Sequence, residues 1–151
     1  MKQININIKT LKHFNQNLLP KHATKHSAGV DLQASIESDI LVKCQEIITI
    51  PTGIAIEIPA GFEGQIRPRS GLSSKHGITL INSPGTIDSD YRGEIKIPII
   101  NLGQKDFYIK TGMRIAQLVI SEYRSIVWSV VKKFQDSTER GQSGLGSTGF
   151  Y

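Results

Sequence analysis

The stretch Thr52-Gly53-Ile54-Ala55-Ile56-Glu57-Ile58-Pro59-Ala60-Gly61 decides how the chain is read. Isoleucine at every second position lays Ile54, Ile56 and Ile58 on one face of an extended strand, and Pro-Ala-Gly ends it. The same period of two recurs at Ile4, Ile6 and Ile8 and again at Ile95, Ile97 and Ile99. Each run predicts a strand with one buried face. Between the runs lie turn signals: Ser83-Pro84-Gly85, Asn101-Leu102-Gly103 and Lys110-Thr111-Gly112. Many short strands at near-even spacing predict an all-β sandwich, jelly roll or barrel. One brief helix interrupts them, with Ser70 as its cap, Gly71 to His76 as its body and Gly77 as its end.

With 151 residues, 38% of them hydrophobic, the chain can bury one moderate core and has little room for a second. Lys and Arg number 18 and Asp and Glu 13, so 18 − 13 = +5, which favours an anionic partner over a cationic one. Cys44 is the only cysteine, which excludes an intramolecular disulfide framework and a cysteine-based zinc site. It is expected to be a small buried hydrophobe in a reducing compartment. His22 and His26 stand four apart but lack the acidic partner of a His-Glu-x-x-His site. No segment approaches the roughly 20 apolar residues that span a bilayer. The expectation is a soluble, cytoplasmic protein with no membrane partner.

At Asp136 the composition changes to Asp-Ser-Thr-Glu-Arg-Gly-Gln-Ser-Gly-Leu-Gly-Ser-Thr-Gly-Phe-Tyr. Such a segment buries too little apolar surface to offset its ordering entropy. The organisation expected is one β domain over 1–135 and a mobile tail over 136–151. Arg140, Ser143, Ser147 and Thr148 alternate with glycines that let a backbone come close, which suits a phosphate chain. A Walker loop is excluded because Gly-Lys-Ser/Thr is absent.

Four further segments carry chemistry. Arg67-Pro68-Arg69-Ser70-Gly71 brings guanidinium and hydroxyl to the start of the helix, a setting that favours an anion. Gly85-Thr86-Ile87-Asp88-Ser89-Asp90-Tyr91-Arg92-Gly93 reads as a hairpin or tight loop with two carboxylates and an aromatic. A carboxylate of ordinary pKa, about 3.9, is ionised at neutral pH and can orient or deprotonate water. It can equally bond only its own turn. Ala28-Gly29-Val30-Asp31-Leu32 and Gly112-Met113-Arg114-Ile115-Ala116-Gln117-Leu118 set polar side chains in apolar, strand-like surroundings, where each needs a partner in the protein or in a ligand.

These five segments, in this order and at these separations, resemble the five signature motifs of the homotrimeric deoxyuridine triphosphate nucleotidohydrolase (dUTPase) family. The likeness covers the chain from about residue 28 to residue 149. It implies a distorted jelly-roll or β-barrel-like fold of the β-clip type, assembled as a homotrimer with active sites at subunit interfaces. The activity implied is hydrolysis of dUTP to dUMP and pyrophosphate, which limits uracil in DNA and supplies dUMP for dTMP synthesis. Mg2+ is the cofactor implied, held mainly by substrate phosphates, with Asp31 reaching it through water. Carried over by position, Arg69, Ser70, Gly71 and Gln117 bind phosphate oxygens. Asn82 and the backbone of Thr86, Ile87 and Asp88 accept uracil, with Lys96 on the returning strand as a neighbour. Asp88 positions the attacking water, Tyr91 lies against the deoxyribose, and Arg140, Ser147 and Thr148 close over the triphosphate. Two departures stand out: Leu145 occupies the place of the family's stacking aromatic, and Met113 that of a common acidic residue.

The physical logic of the residues agrees. Splitting a phosphoanhydride requires in-line attack and compensation of phosphate charge, which cations and N–H groups supply. A hairpin that pairs with the uracil edge leaves buried groups unmatched against cytosine. Two rivals use related chemistry: a dCTP deaminase-like enzyme, and a nucleotide-sensing module on the same fold. A nucleic-acid binder is disfavoured, since no strand interleaves aromatic and basic residues as a stacking platform.

Overall fold

The computed structural model describes residues 3–14 and 19–144. Its elements are β1 (Asn7–Thr10), β2 (Val30–Gln33), β3 (Ile40–Val42), β4 (Ile47–Pro51), β5 (Ile54–Glu57), β6 (Phe62–Pro68), α1 (Ser70–His76), β7 (Ile78–Leu80), β8 (Gly85–Ile87), β9 (Lys96–Asn101), β10 (Phe107–Ile109) and β11 (Arg114–Glu122). Every strand pairing is antiparallel. The main sheet has the order β2-β11-β6-β8, a second runs β4-β9-β7, and β1-β5 and β10-β3 form two short ribbons. The result is the jelly-roll-like all-β fold that the alternating isoleucines predict.

Side chains from all four sheets meet in one apolar cluster. Ile54, Ile56, Ile58, Ile95, Ile97 and Ile99 all belong to it. Each fully buried isoleucine contributes about 1.5–3 kcal/mol relative to exposure, so this row is the main term holding the sheets face to face. Asn101 is fully buried among them. Its amide donates to the carbonyls of Val42 (3.0 Å) and Lys105 (2.9 Å), and its Oδ1 accepts from the Gly103 amide (2.9 Å), so it stitches the β9–β10 turn to β3.

Three expectations are corrected. Ile4, Ile6 and Ile8 do not form a strand with a buried face: β1 starts only at Asn7, and Ile4 and Ile8 are exposed. Among the described residues the strand pairs only with β5, and of the three isoleucines Ile6 alone packs, half-buried, against the core. Cys44 is exposed rather than buried, because it lies in the β3–β4 turn, where its amide donates to Asp106 Oδ1 (3.1 Å). Ser70 is the first helical residue rather than the cap; Arg69, extended at φ −92 and ψ 124, holds the cap position without a side-chain cap. Gly77 ends the helix as expected, with φ 69, a conformation that glycine alone adopts without strain.

β11 ends at Glu122, and from Glu122 to Gly144 every residue is exposed, with neither helix nor strand between Tyr123 and Gly144. That stretch includes Ile126, Val127, Trp128, Val130, Val131 and Phe134. No helix among the described residues is long and apolar enough to cross a membrane.

Candidate active site

The outer face of the main sheet gathers the polar residues of three sequence segments. Pairing across strands sets Asp31 of β2 opposite Gln117 of β11, and Gln117 opposite Arg67 of β6. A groove of about 380 Å³ opens over this row. Asp31, Arg69, Ser70, Gly71 and Gln117, expected to act together, all line it.

A bulge makes the arrangement possible. The β11–β2 register slips between Arg114 and Ala116, so Ile115 and Ala116 both enter the core. Residues 114 and 117 would face opposite sides of an uninterrupted strand; the bulge turns both toward Asp31. Arg114 Nη1 donates to Asp31 Oδ2 (3.0 Å), while Arg69 Nε donates to Asp31 Oδ1 (2.8 Å). Asp31, with its side chain only 17% exposed, is thus a carboxylate clamped between two guanidiniums. Gln117 donates from Nε2 to the carbonyl of Pro68 (3.0 Å), and its Oε1 turns toward Gly29. A Cβ at residue 29 would stand 2.8 Å from that oxygen, so glycine there leaves room for the carboxamide.

Seven groove residues go beyond the assigned set: Arg114, Arg67, Gly29, Ala28, Val119, Ala23 and Ser27. Arg114 sits in a quoted segment, but period-two alternation alone sends it to the face opposite Gln117. Ala23 and Ser27 arrive through the turn Thr24–Ser27, closed by a hydroxyl pair (2.8 Å) and Ser27 N to Thr24 O (3.1 Å). That turn had no strand or helix signature to mark it.

A second constellation occupies the other edge of the sheet. β8 pairs with β6, Thr86 opposite Gln65 and Gly85 opposite Ile66. Asn82 folds its amide over Gly85, within 3.1 Å of where a Cβ would be. Beyond Ile87 the chain turns tightly, Tyr91 N donating to Asp88 O (3.1 Å). Arg92 fastens the loop by donating to the carbonyls of Ser89 (2.6 Å) and Tyr91 (3.0 Å), and Tyr91 Oη donates to the carbonyl of Glu94 (2.9 Å). Asp88 is exposed, and no residue among those described bonds its carboxylate. Lys96 points elsewhere: its Nζ lies 4.0 Å from Glu94 Oε2, and it lines a separate cavity of about 630 Å³ with His13 and Glu94.

Arg140 is exposed, Nε donating to the Ser143 carbonyl (3.0 Å), and it touches neither constellation. Ser147 and Thr148 lie outside the described residues, as does Leu145. No group of three or more His, Cys, Asp or Glu forms a metal cage among the described residues.

The dUTPase family profile matches residues 15–149 of the chain. A deoxyuridine 5'-triphosphate nucleotidohydrolase of Rickettsia typhi is 58% identical over 146 residues, 97% of each chain. Among solved structures, a Staphylococcus bacteriophage 80alpha dUTPase with dUPNHPP superposes with a TM-score of 0.87 at 28% identity, covering 97% of this chain and 99% of the other. A mutant dUTPase from phage phi11 of S. aureus, in which a structural Mg(II) ion is coordinated, has a TM-score of 0.77 at 24% identity, covering 88% of this chain and 100% of its own.

Proposed function

The chain belongs to the dUTPase family, and from that premise we propose how its two constellations divide the hydrolysis of dUTP to dUMP and pyrophosphate. The observation that carries the division is the unequal state of two carboxylates. Asp31 already has both oxygens engaged by Arg69 and Arg114, whereas Asp88 projects from the hairpin with no internal partner among the described residues. Asp31 is a structural anion of the phosphate groove; Asp88 is the group free to take a water.

In this mechanism Asp88 orients a water and accepts its proton as oxygen attacks the α-phosphorus. The new P–O bond forms in line with the breaking bond to the bridging oxygen, and pyrophosphate departs with that electron pair. Arg69, the Ser70 hydroxyl, the Gly71 amide and Gln117 compensate charge on the phosphate oxygens. Arg140, Ser147 and Thr148 of the tail close over the same oxygens. Asn82 and the backbone of Thr86, Ile87 and Asp88 hold the uracil edge. Tyr91, fixed through its hydroxyl to Glu94, fills the space a ribose 2′-hydroxyl needs. Lys96 bears on the hairpin only through Glu94, the residue whose carbonyl holds Tyr91.

The groove suits Mg2+ brought in on substrate rather than a protein-built cage. A carboxylate offers about four acceptor positions, so Asp31 keeps lone pairs for metal-bound water while paired with both arginines. When bound, Mg2+ supplies charge neutralisation on the triphosphate.

A homotrimer completes the site. The groove runs over β2, β11 and β6, and the hairpin begins on β8, the edge strand beside β6, with Asp31 of the groove at the far edge, three strand spacings or roughly 14 Å from β8. The segment from Ile126 to Phe134 exposes six large apolar side chains in succession, and it has the character of an arm seated on a neighbouring subunit. With the arm so placed, 1–135 acts as the body and 136–151 as the lid. The exposed single cysteine and the nucleotide substrate suit the cytoplasm.

Pyrophosphate release measured with Mg2+ across dUTP, dCTP, dTTP and UTP tests the reading. The expected result is turnover of dUTP alone at an appreciable rate. Ammonia from dCTP would point instead to the deaminase chemistry, and binding without turnover to a sensing module.

A further inference from the structure

We propose that Arg67 is a further phosphate-binding residue of the groove, aimed by Gln65 and Glu63; this deepens the dUTP reading above and rests on it. Arg67, Gln117 and Asp31 stand in one row across β6, β11 and β2, so Arg67 roots one strand beyond Gln117, about 4.8 Å away. Its side chain is exposed and lines the groove.

Its surroundings differ from those of the other two groove arginines. Arg69 and Arg114 both spend donors on Asp31, whereas no carboxylate pairs with Arg67 among the described residues. Its one acceptor there is Gln65 Oε1, taken by Nε at 3.2 Å and Nη2 at 2.5 Å. Gln65 Nε2 in turn donates to Glu63 Oε1 (2.8 Å). Residues 63, 65 and 67 share one face of β6, so the chain carboxylate, amide, guanidinium runs along the strand and ends at the groove. A guanidinium has five N–H donors in a rigid fork. Two are held by Gln65, and the remaining three are left for an incoming anion, since Arg67 forms no ion pair among the described residues. A polyphosphate entering the groove is the anion that such a group fits, and Gln65 reduces the entropy lost in aiming it.

Affinity for a non-hydrolysable α,β-imido analogue of dUTP, measured with Mg2+ over a range of salt, tests this. Arg67→Gln should weaken the analogue about tenfold at low salt and flatten the dependence of log Kd on log salt. Deoxyuridine, which carries no phosphate, should bind both proteins alike. Arg67→Lys should recover the salt slope but only part of the affinity. Gln65→Leu should cost about threefold in the wild-type background and nothing in Arg67→Gln. A parallel loss of analogue and deoxyuridine would mark a merely structural role and overturn the proposal. So would analogue binding by Arg67→Gln as tight as wild type in a protein that hydrolyses dUTP, leaving the dUTP reading intact. A wild-type chain that neither hydrolyses dUTP nor binds the analogue overturns both.

Discussion

Asp31 and Asp88 are the same amino acid put to different uses by their neighbours. Two guanidiniums hold Asp31, so it shapes the groove, while Asp88 is exposed to solvent. Asp88→Asn should therefore keep the fold and bind nucleotide yet lose at least about 10²-fold in kcat, the lower range for a positioned general base. Steady-state pyrophosphate release beside analogue titration checks this, and near wild-type kcat would remove Asp88 from the chemistry. Gly29 acts at the same scale through the space it leaves for the Gln117 carboxamide. A methyl there would meet Gln117 Oε1 at 2.8 Å, so the carboxamide, which donates to the Pro68 carbonyl, has to shift from its place over the groove. Loss of a hydrogen bond to a charged group is worth about 1.5–3 kcal/mol, or roughly tenfold and more. Gly29→Ala should raise KM for dUTP about tenfold and leave kcat within about threefold. An unchanged KM would show that the residue-29 space is not what sets Gln117.

At the scale of elements, the β9–β10 turn and the β11 bulge do the decisive work. Asn101 serves three backbone groups from a fully buried position, and replacing it with alanine strands the carbonyls of Val42 and Lys105 and the amide of Gly103. An unsatisfied buried group costs about 1–3 kcal/mol, and partial hydration of the turn offsets some of the sum. Asn101→Ala should destabilise by about 3 kcal/mol in urea unfolding while activity per folded molecule holds. A loss under about 1 kcal/mol would mean that the turn does not depend on it. The bulge at Ile115 was not legible in the sequence. Both Ile115 and Ala116 are apolar, and only pairing with β2 reveals that both face inward and that Arg114 joins Gln117 outside.

For the whole molecule, the question is what covers the apolar arm and joins hairpin to groove. If neighbouring subunits do both, the protein sediments as a trimer. Deleting 123–151 should then leave a folded body that dissociates and loses activity, whereas deleting 136–151 should remove activity but keep the trimer. Mixed trimers co-refolded from Asp88→Asn and Arg69→Ala chains should regain part of the activity that each lacks alone, because some sites then draw both intact residues from different subunits. A fully active monomer at assay concentration would contradict the shared site, and mixtures no more active than their parents would place groove and hairpin of one site in one chain.

Strand content, the isoleucine core, the helix with Gly77 at its end, and the chemical character of the five segments all follow from the sequence. Each rests on local information, either the period of side chains along a strand or the conformations a turn residue permits. The same local signals misjudge Ile4 and Ile8, which alternate correctly yet are exposed, and Cys44, whose burial depends on where its turn lies. Only the tertiary structure decides that Arg114 and Arg69 share Asp31, that Gln65 holds Arg67, and that the hairpin strand β8 lies beside the β6 edge of the groove. Those relations are set by strand order and register between residues far apart in the chain, and a single slip of register would send each side chain to the other face.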